Sequence, residues 1–351
     1  MSSQESAAAA PDDVLIAALD IGGTKIAGAL VTRDGILVHR ARRTTPAQGS
    51  ADALLDAVHQ VVDALAADPR WDDVRALGIG SAGPVDLAHG SVSPVNIPAW
   101  RGFPLVAAVG AHPALAHRPV VLAGDAVAMA AAEHRHGAAR GHGDALCLVV
   151  STGVGAGLVL DGRVRHGLTG NAGHLGHISV DFDGDPCPCG ARGCLEGIAS
   201  GTAITRHALS LGWRPPAAPD ASAVATAARA GDPAAVAAFD RAARALAAGI
   251  AATAALVEID LAVIGGGVAQ AGEVLFSPLN DHLRRYAAMP FLHHLRAVPA
   301  ELGPDSGLVG AAALAETAAQ EPLAIGSSHA LHMMRHRERV HISPFNESCS
   351  S

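Results

Sequence analysis

The stretch that decides the reading runs Asn171-Ala172-Gly173-His174-Leu175-Gly176-His177, then Cys187-Pro188-Cys189-Gly190, then Gly193-Cys194-Leu195-Glu196. One histidine, His177, and three cysteines, Cys187, Cys189 and Cys194, supply the four ligands that a closed tetrahedral zinc site needs. Such an ion would hold a loop rigid. A purely structural zinc knuckle requires neither Glu196 nor His174, so a carboxylate and a second imidazole fixed beside the cluster point to a binding loop.

Composition bounds the rest. The chain has 351 residues, enough for two ordinary domains. Half of them are hydrophobic but only 3% are aromatic, so the core is built from Ala, Val, Leu and Ile. Net charge is −8 with no basic stretch inside the folded part, which argues against a nucleic-acid partner. Of five cysteines, three sit at metal spacing, Cys147 lies in an apolar run and Cys349 in the tail, so they are not a secreted disulfide framework. No apolar run reaches membrane-span length, and the N-terminus lacks the pattern of a signal peptide. A cytoplasmic protein with no membrane partner is expected. Residues 1–12 read as a disordered extension. Beyond about 320 the chain turns His/Arg-rich, with His329, His332, His336 and His341. That segment reads as a solvated, disordered tail, with metal binding the alternative.

Hydrophobic patterning predicts an α/β chain. Val14–Leu19, Ile26–Val31 and Ile36–His39 read as strands separated by a Gly turn and by Asp34-Gly35. Ala51–Ala66 has helical spacing, and Val74–Gly80 is a strand ending in Ser81-Ala82-Gly83-Pro84. Pro119–Ala123 is a buried strand running into Gly124-Asp125 and a helix through Ala132. Ala145–Val150 and Gly157–Leu160, followed by Asp161-Gly162, repeat the opening hairpin theme. Asp232-Pro233 opens a helix to about Val257, with Asp at the N-cap and Pro in the first turn. A strand over Leu261–Ile264, a helix over roughly 268–287 and a last helix over Leu308–Ala318 complete the pattern.

Three glycine turns each follow an apolar strand. Asp20-Ile21-Gly22-Gly23-Thr24-Lys25 offers backbone N–H groups, a hydroxyl and the only lysine of the chain, the makings of a phosphate cradle. It also reads as an ordinary hairpin turn, and it departs from the Walker pattern because Lys follows Thr. Ser151-Thr152-Gly153-Val154-Gly155-Ala156-Gly157 lies between two strands with no helix after it, so a dinucleotide fold fits poorly. Gly265-Gly266-Gly267 is the third candidate for close ligand approach.

In this order the motifs resemble the ROK family of sugar kinases, over roughly residues 14–318. The resemblance rests most heavily on Cys-x-Cys-Gly-x-x-Gly-Cys-x-Glu. It implies a two-lobed actin-like or hexokinase-like ATPase fold carrying a zinc-binding loop. The N-terminal lobe would span 13–122, completed by the helix near 306–319, and the C-terminal lobe 123–305. It implies transfer of the γ-phosphoryl of ATP, with Mg, to a sugar hydroxyl, a structural zinc on His177, Cys187, Cys189 and Cys194, and a homodimer. Asp125 would be the general base. ATP and its phosphates would lie on Asp20, Gly22, Gly23, Thr24, Lys25, Thr152, Gly153, Gly155 and Gly265–Gly267. Sugar would lie on Gly83, Asn96, Asp125, His174, His177 and Glu196, with Asn96 in a Pro-Asn-x-Pro loop that carries one extra residue.

Two departures bear on the sugar. The family usually has Asn-Asp at the base, whereas this chain has Gly124-Asp125. Most of its glucokinases have Glu where this chain has His174. Ala172–His177, Val150–Gly155 and Ile198–Gly201 look instead like bacterial N-acetylmannosamine kinases, and an imidazole donor at 174 would suit an acetamido carbonyl. The family also contains repressors and inactive regulators. A repressor is expected to carry a helix-turn-helix ahead of the first glycine turn, and only nineteen residues precede Asp20. An inactive regulator is expected to lack some of Asp20, Asp125 and the phosphate turns, which are all present.

Overall fold

Two five-stranded sheets of the same topology organise the chain. The computed structural model describes residues 14–215 and 218–320. The N-terminal extension and the His/Arg-rich tail discussed above lie outside them. The first sheet contains β1 (Leu15–Ile21), β2 (Lys25–Thr32), β3 (Leu37–Thr44), β4 (Val74–Ser81) and, after a small hairpin of β5 (Val85–Asp86) and β6 (Ser91–Val92), β7 (Val120–Gly124). Its order is β3-β2-β1-β4-β7, with β1 antiparallel to β2 and parallel to β4. The second contains β8 (Ala145–Val150), β9 (Val154–Leu160), β10 (Arg163–Arg165), β11 (Leu261–Gly265) and β12 (Arg296–Pro299), in the order β10-β9-β8-β11-β12. Here too the hairpin partner is antiparallel and the later strands parallel. The repeated hairpin theme in the sequence is a repeated sheet in space.

Strand alternation sorts the side chains into layers. Leu15, Ala17, Leu19 and Ile21 of β1 face one cluster with helices α1 (Ala51–Ala66) and α2 (Leu105–Gly110). Ile16 and Ala18 face the other way, onto Leu308, Ala311, Ala312 and Ala315. Those four belong to the last helix, Ser306–Gln320. In the second sheet, Cys147 and Val263 pack against Met129 and Ala130 of α3 (Asp125–His136). Leu146, Leu148, Val150, Ala262 and Ile264 face a cluster that draws on α4 (Glu196–Ala199), α5 (Gly201–Ser210), α6 (Ala221–Arg229), α7 (Pro233–Val257) and α8 (Glu273–Tyr286). The last helix, α9 (Ser306–Gln320), and α3 therefore lie between the two sheets. Their contact is backbone-close, since a Cβ at Gly310 would overlap the Ala128 carbonyl, and α9 lies as close on β4, where a Cβ at Gly78 would overlap the Ala311 carbonyl. Burial pushes the Cys147 thiol up to about 12, so this cysteine is core packing.

Helices α2, α5 and α6 and strand β12 have no counterpart in the sequence pattern, and other elements differ in their bounds. β3 runs on to Thr44 because Arg40, Arg42 and Arg43 pair with β2 at a solvated edge, where hydrophobicity gives no signal. β9 starts at Val154, ahead of the expected Gly157, because the turn closes within Ser151–Gly153. The helix expected over 268–287 is a short turn, Val268–Ala271, broken at Gly272 (φ +64°) before α8 begins. No helix among the described residues is long and apolar enough to cross a membrane.

The helix contact is the most constrained point of the fold. Gly310→Ala should destabilise by about 1–3 kcal/mol, the usual cost of forcing a methyl into a filled contact. Urea unfolding should show a lower midpoint with an unchanged slope.

Candidate active site

Asp125 is the first residue of α3, where β7 leaves the first sheet and the chain enters the second half. Its Oδ1 accepts the Ala126 N–H at 2.7 Å, which fixes the carboxylate at the helix N-terminus. The side chain is open to solvent on one side. Protein crowds it elsewhere, and that burial pushes its carboxyl up from the ordinary range, against the pull of the Ala126 N–H and of nearby His174. Asp20, at the end of β1, is also pushed up, first by burial and further by the charge of Asp125, while Lys25 draws it down. Lys25 Nζ lies 4.0 Å from Asp20 Oδ2. A Cβ at Gly307, in the first turn of α9, would sit 3.1 Å from Asp20 Cγ. Asp20 thus faces one helix N-terminus and Asp125 sits on another, an arrangement that favours anions between them.

The first glycine turn is tied internally. The Gly22 N–H donates to the Lys25 carbonyl at 3.0 Å, and Thr45 Oγ1 donates to the Gly22 carbonyl at 2.7 Å. The groups that can face a phosphate are then those of Gly23, Thr24 and Lys25, the last two of which are exposed. A side chain at Gly23 would collide with the Asn96 amide, so Asn96 lies directly on this turn. The other two turns adjoin each other. A Cβ at Gly266 (φ +87°) would strike the Val150 carbonyl, and one at Gly267 would come within 3.8 Å of Ser151 Oγ. Thr152 is exposed, and its carbonyl accepts Thr202 Oγ1 at 3.3 Å. Two further glycines of these turns lie against α3: a Cβ at Gly155 would be 3.1 Å from Ala126 Cβ, and one at Gly265 would be 2.8 Å from Met129 Cε.

Glu196 opens α4, and its Oε2 accepts the Val154 N–H at 2.9 Å, beside Gly153. His174 Nδ1 lies 3.0 Å from the Asn171 carbonyl. A carbonyl only accepts, so Nδ1 carries the proton and Nε2 of the neutral ring is an acceptor. The donor expected at this position is therefore already used within the loop. Gly83 adjoins Asn171 Oδ1, 4.0 Å from the place of its Cβ.

His177, Cys187, Cys189 and Cys194 converge, their ligand atoms all within 4.8 Å of one another. A tetrahedral ion with metal–sulfur bonds of about 2.3 Å has sulfur–sulfur edges of about 3.8 Å. Cys189 Sγ and Cys194 Sγ are 3.7 Å apart, and Cys187 Sγ is 3.8 Å from His177 Nδ1. The donor set and its spacing fit a tetrahedral metal, with Nδ1 as the histidine ligand and Nε2 left to face outward. Sequence reasoning passed over Asn171, Ser151, Thr202 and Gly307. Asn171 and Ser151 stood inside quoted motifs; Thr202 and Gly307 become visible only when the turns meet.

Comparison with known proteins gives the family. The ROK family profile matches residues 16–318. A glucokinase of Thermotoga maritima is 33% identical over 309 residues, covering 84% of this chain and 95% of its own length. An N-acetylmannosamine kinase of Pasteurella multocida is 34% identical over 299 residues, covering 84% and 94%. The crystal structure of a ROK family glucokinase from Streptomyces griseus with glucose and AMPPNP has 35% identity and a TM-score of 0.74, covering 86% of this chain and 99% of that one. The chain belongs to the ROK family, and these relatives are sugar kinases.

The electrostatics predict a trade between stability and function. A carboxylate whose folded pKa is raised stabilises the fold while protonated, and that contribution is lost as pH rises through the folded value. Near neutral pH, Asp125→Asn keeps the Ala126 hydrogen bond and removes a crowded charge. It should melt at or above the wild-type temperature, with the gap narrowing as pH is lowered into the carboxylate range.

Proposed function

We propose that the chain is an ATP-dependent sugar kinase acting on the 6-hydroxyl of a hexose or N-acylhexosamine. The observation that carries this reading is the position of Asp125 at the N-terminus of α3, packed against α9, whose own first turn lies on Asp20. In this reading Asp125 is the general base. Its Oδ1 is held by Ala126, so Oδ2 takes the hydroxyl proton as that oxygen attacks the γ-phosphorus and ADP leaves. Phosphates would be held by Gly23, Thr24, Lys25, Thr152, Gly153, Gly266 and Gly267. Bound with ATP, Mg would spread the phosphate charge, and Asp20 would hold its water. Asn96, Gly83, His174, His177 Nε2 and Glu196 would orient the sugar.

N-acetylmannosamine is the favoured sugar. Gly124 leaves space for a 2-substituent where the family usually carries Asn, and the His174 motif resembles that group of kinases. Glucose is the second reading, favoured by the tautomer of His174: with Nδ1–H spent on Asn171, Nε2 accepts as the glutamate of glucokinases does. The protein would work in the cytoplasm as a homodimer.

A coupled ATP-to-ADP assay over a sugar panel tests the reading. Turnover should be greatest with N-acetylmannosamine. Efficient use of glucose alone overturns the sugar assignment, and no turnover with any sugar overturns the kinase. Asp125→Asn should lower kcat by about 10²-fold or more, with sugar binding kept. The acid limb of kcat/KM in the wild type should lie above the ordinary carboxylate range.

His177, Cys187, Cys189 and Cys194 would hold one structural zinc that keeps the His177 ring in place. Elemental analysis should find one zinc per chain. Cys189→Ser should lose the metal and, with it, both sugar affinity and stability, because metal binding and folding are coupled. Metal-free protein that binds sugar normally would refute the assignment.

A further inference from the structure

Asn171 has no part in the assignments above, yet its side chain joins the two halves. Its Oδ1 accepts the Val85 N–H at 3.0 Å, and its Nδ2 donates to the Val85 carbonyl at 2.6 Å. One primary amide satisfies both backbone groups of a residue, as a neighbouring strand would. The contact is reinforced nearby. The Leu87 N–H donates to the Thr169 carbonyl at 3.0 Å, and Asn171 Nδ2 also reaches Thr169 Oγ1 at 3.0 Å. A side chain at Gly170 would collide with Leu87 and Val85, so the loop lies flat on the hairpin. Val85 opens that hairpin two residues after Gly83. At its other end, Asn171 offers its carbonyl to His174 Nδ1–H. The residue therefore holds Val85, two residues after Gly83, on the first half and His174 on the second.

Resting on the kinase reading, we propose that Asn171 is the positioning residue that holds the two walls of the sugar site in register. The amide pair forms only when the hairpin and the loop lie together. Without it, a smaller fraction of molecules presents Gly83 and His174 in the arrangement that binds sugar, and apparent affinity falls by that fraction. Saturating sugar restores the arrangement. The defect therefore lies in the KM for sugar, with kcat and the KM for ATP unchanged, because the phosphate turns do not touch Asn171.

The test uses the full-length protein in the coupled assay, with glucose and N-acetylmannosamine in separate series. Asn171→Ala should raise the sugar KM about tenfold, the effect of losing two ordinary hydrogen bonds. Asn171→Asp is isosteric and keeps the acceptor for the Val85 N–H, but it sets a second oxygen against the Val85 carbonyl. The clasp predicts a raised sugar KM for it as well. A space-filling role predicts a wild-type KM. The Asp variant also supplies the measurement if the Ala variant fails to fold. A sugar KM unchanged in the Asp variant, or a loss confined to kcat, overturns the proposal while wild-type turnover leaves the kinase reading standing. A wild type inactive on every sugar overturns both.

Discussion

The crossing of α3 and α9 between the two sheets is the constraint on which the rest of the molecule depends. Gly310 lies on the Ala128 carbonyl with no room for a methyl group. Each of these residues is three positions into its helix from a site residue: Ala128 from Asp125, and Gly310 from Gly307, which lies against Asp20. Three residues are less than one helical turn. The close contact therefore brings two helix N-termini together at one end, and the carboxylates with them. Small residues along α9 serve this purpose. They allow two helices to pass at backbone distance, which sets how near Asp20 and Asp125 come.

Both carboxyls are pushed up from their ordinary range, each first by burial, and Asp20 further by the charge of Asp125. Two crowded acids flanked by helix N-termini suit a site meant to receive a polyanion with its cation, and they sit badly in an empty one. The same logic covers the glycine turns. Gly266 and Gly23 stand where a side chain would strike the Val150 carbonyl and the Asn96 amide, respectively. The turns can therefore lie against each other and against Asn96 without side chains between them. Gly155 and Gly265 let α3 sit close on the second sheet.

Glu133 and Asn171 add two further ties, the first within the second half and the second between the halves. Glu133 is buried on α3, and its carboxylate accepts the N–H groups of Ala138 and Glu301 at Oε2 and of Leu302 at Oε1. It anchors the segment that leads from β12 back to α9. Asn171 ties the opposite side, where the β5–β6 hairpin meets the loop carrying His174. The first is a buried carboxylate on backbone donors, and the second is a side-chain amide paired with the backbone N–H and carbonyl of one residue.

Much of this was legible along the chain wherever the interacting residues are close in sequence. The cluster of His177, Cys187, Cys189 and Cys194 could be read from spacing because a short loop limits where its ligands can go. The two hairpins and their turns could be read because strand patterning and Gly/Asp turns are local. β3 was read short, since edge arginines carry no hydrophobic signal, and the break at Gly272 was hidden inside a helical pattern. What required the folded chain was every relation between distant segments. Asp20 and Asp125 meet only through the packing of α3 and α9. The proton on His174 Nδ1 is assigned only once the ring is seen against the Asn171 carbonyl. Asn171 itself was an unremarked letter of a motif until its amide was found on the backbone of Val85. Local spacing limits which residues can share a loop, but the distances between loops are set by close packing, and the chemistry of this site lies between loops.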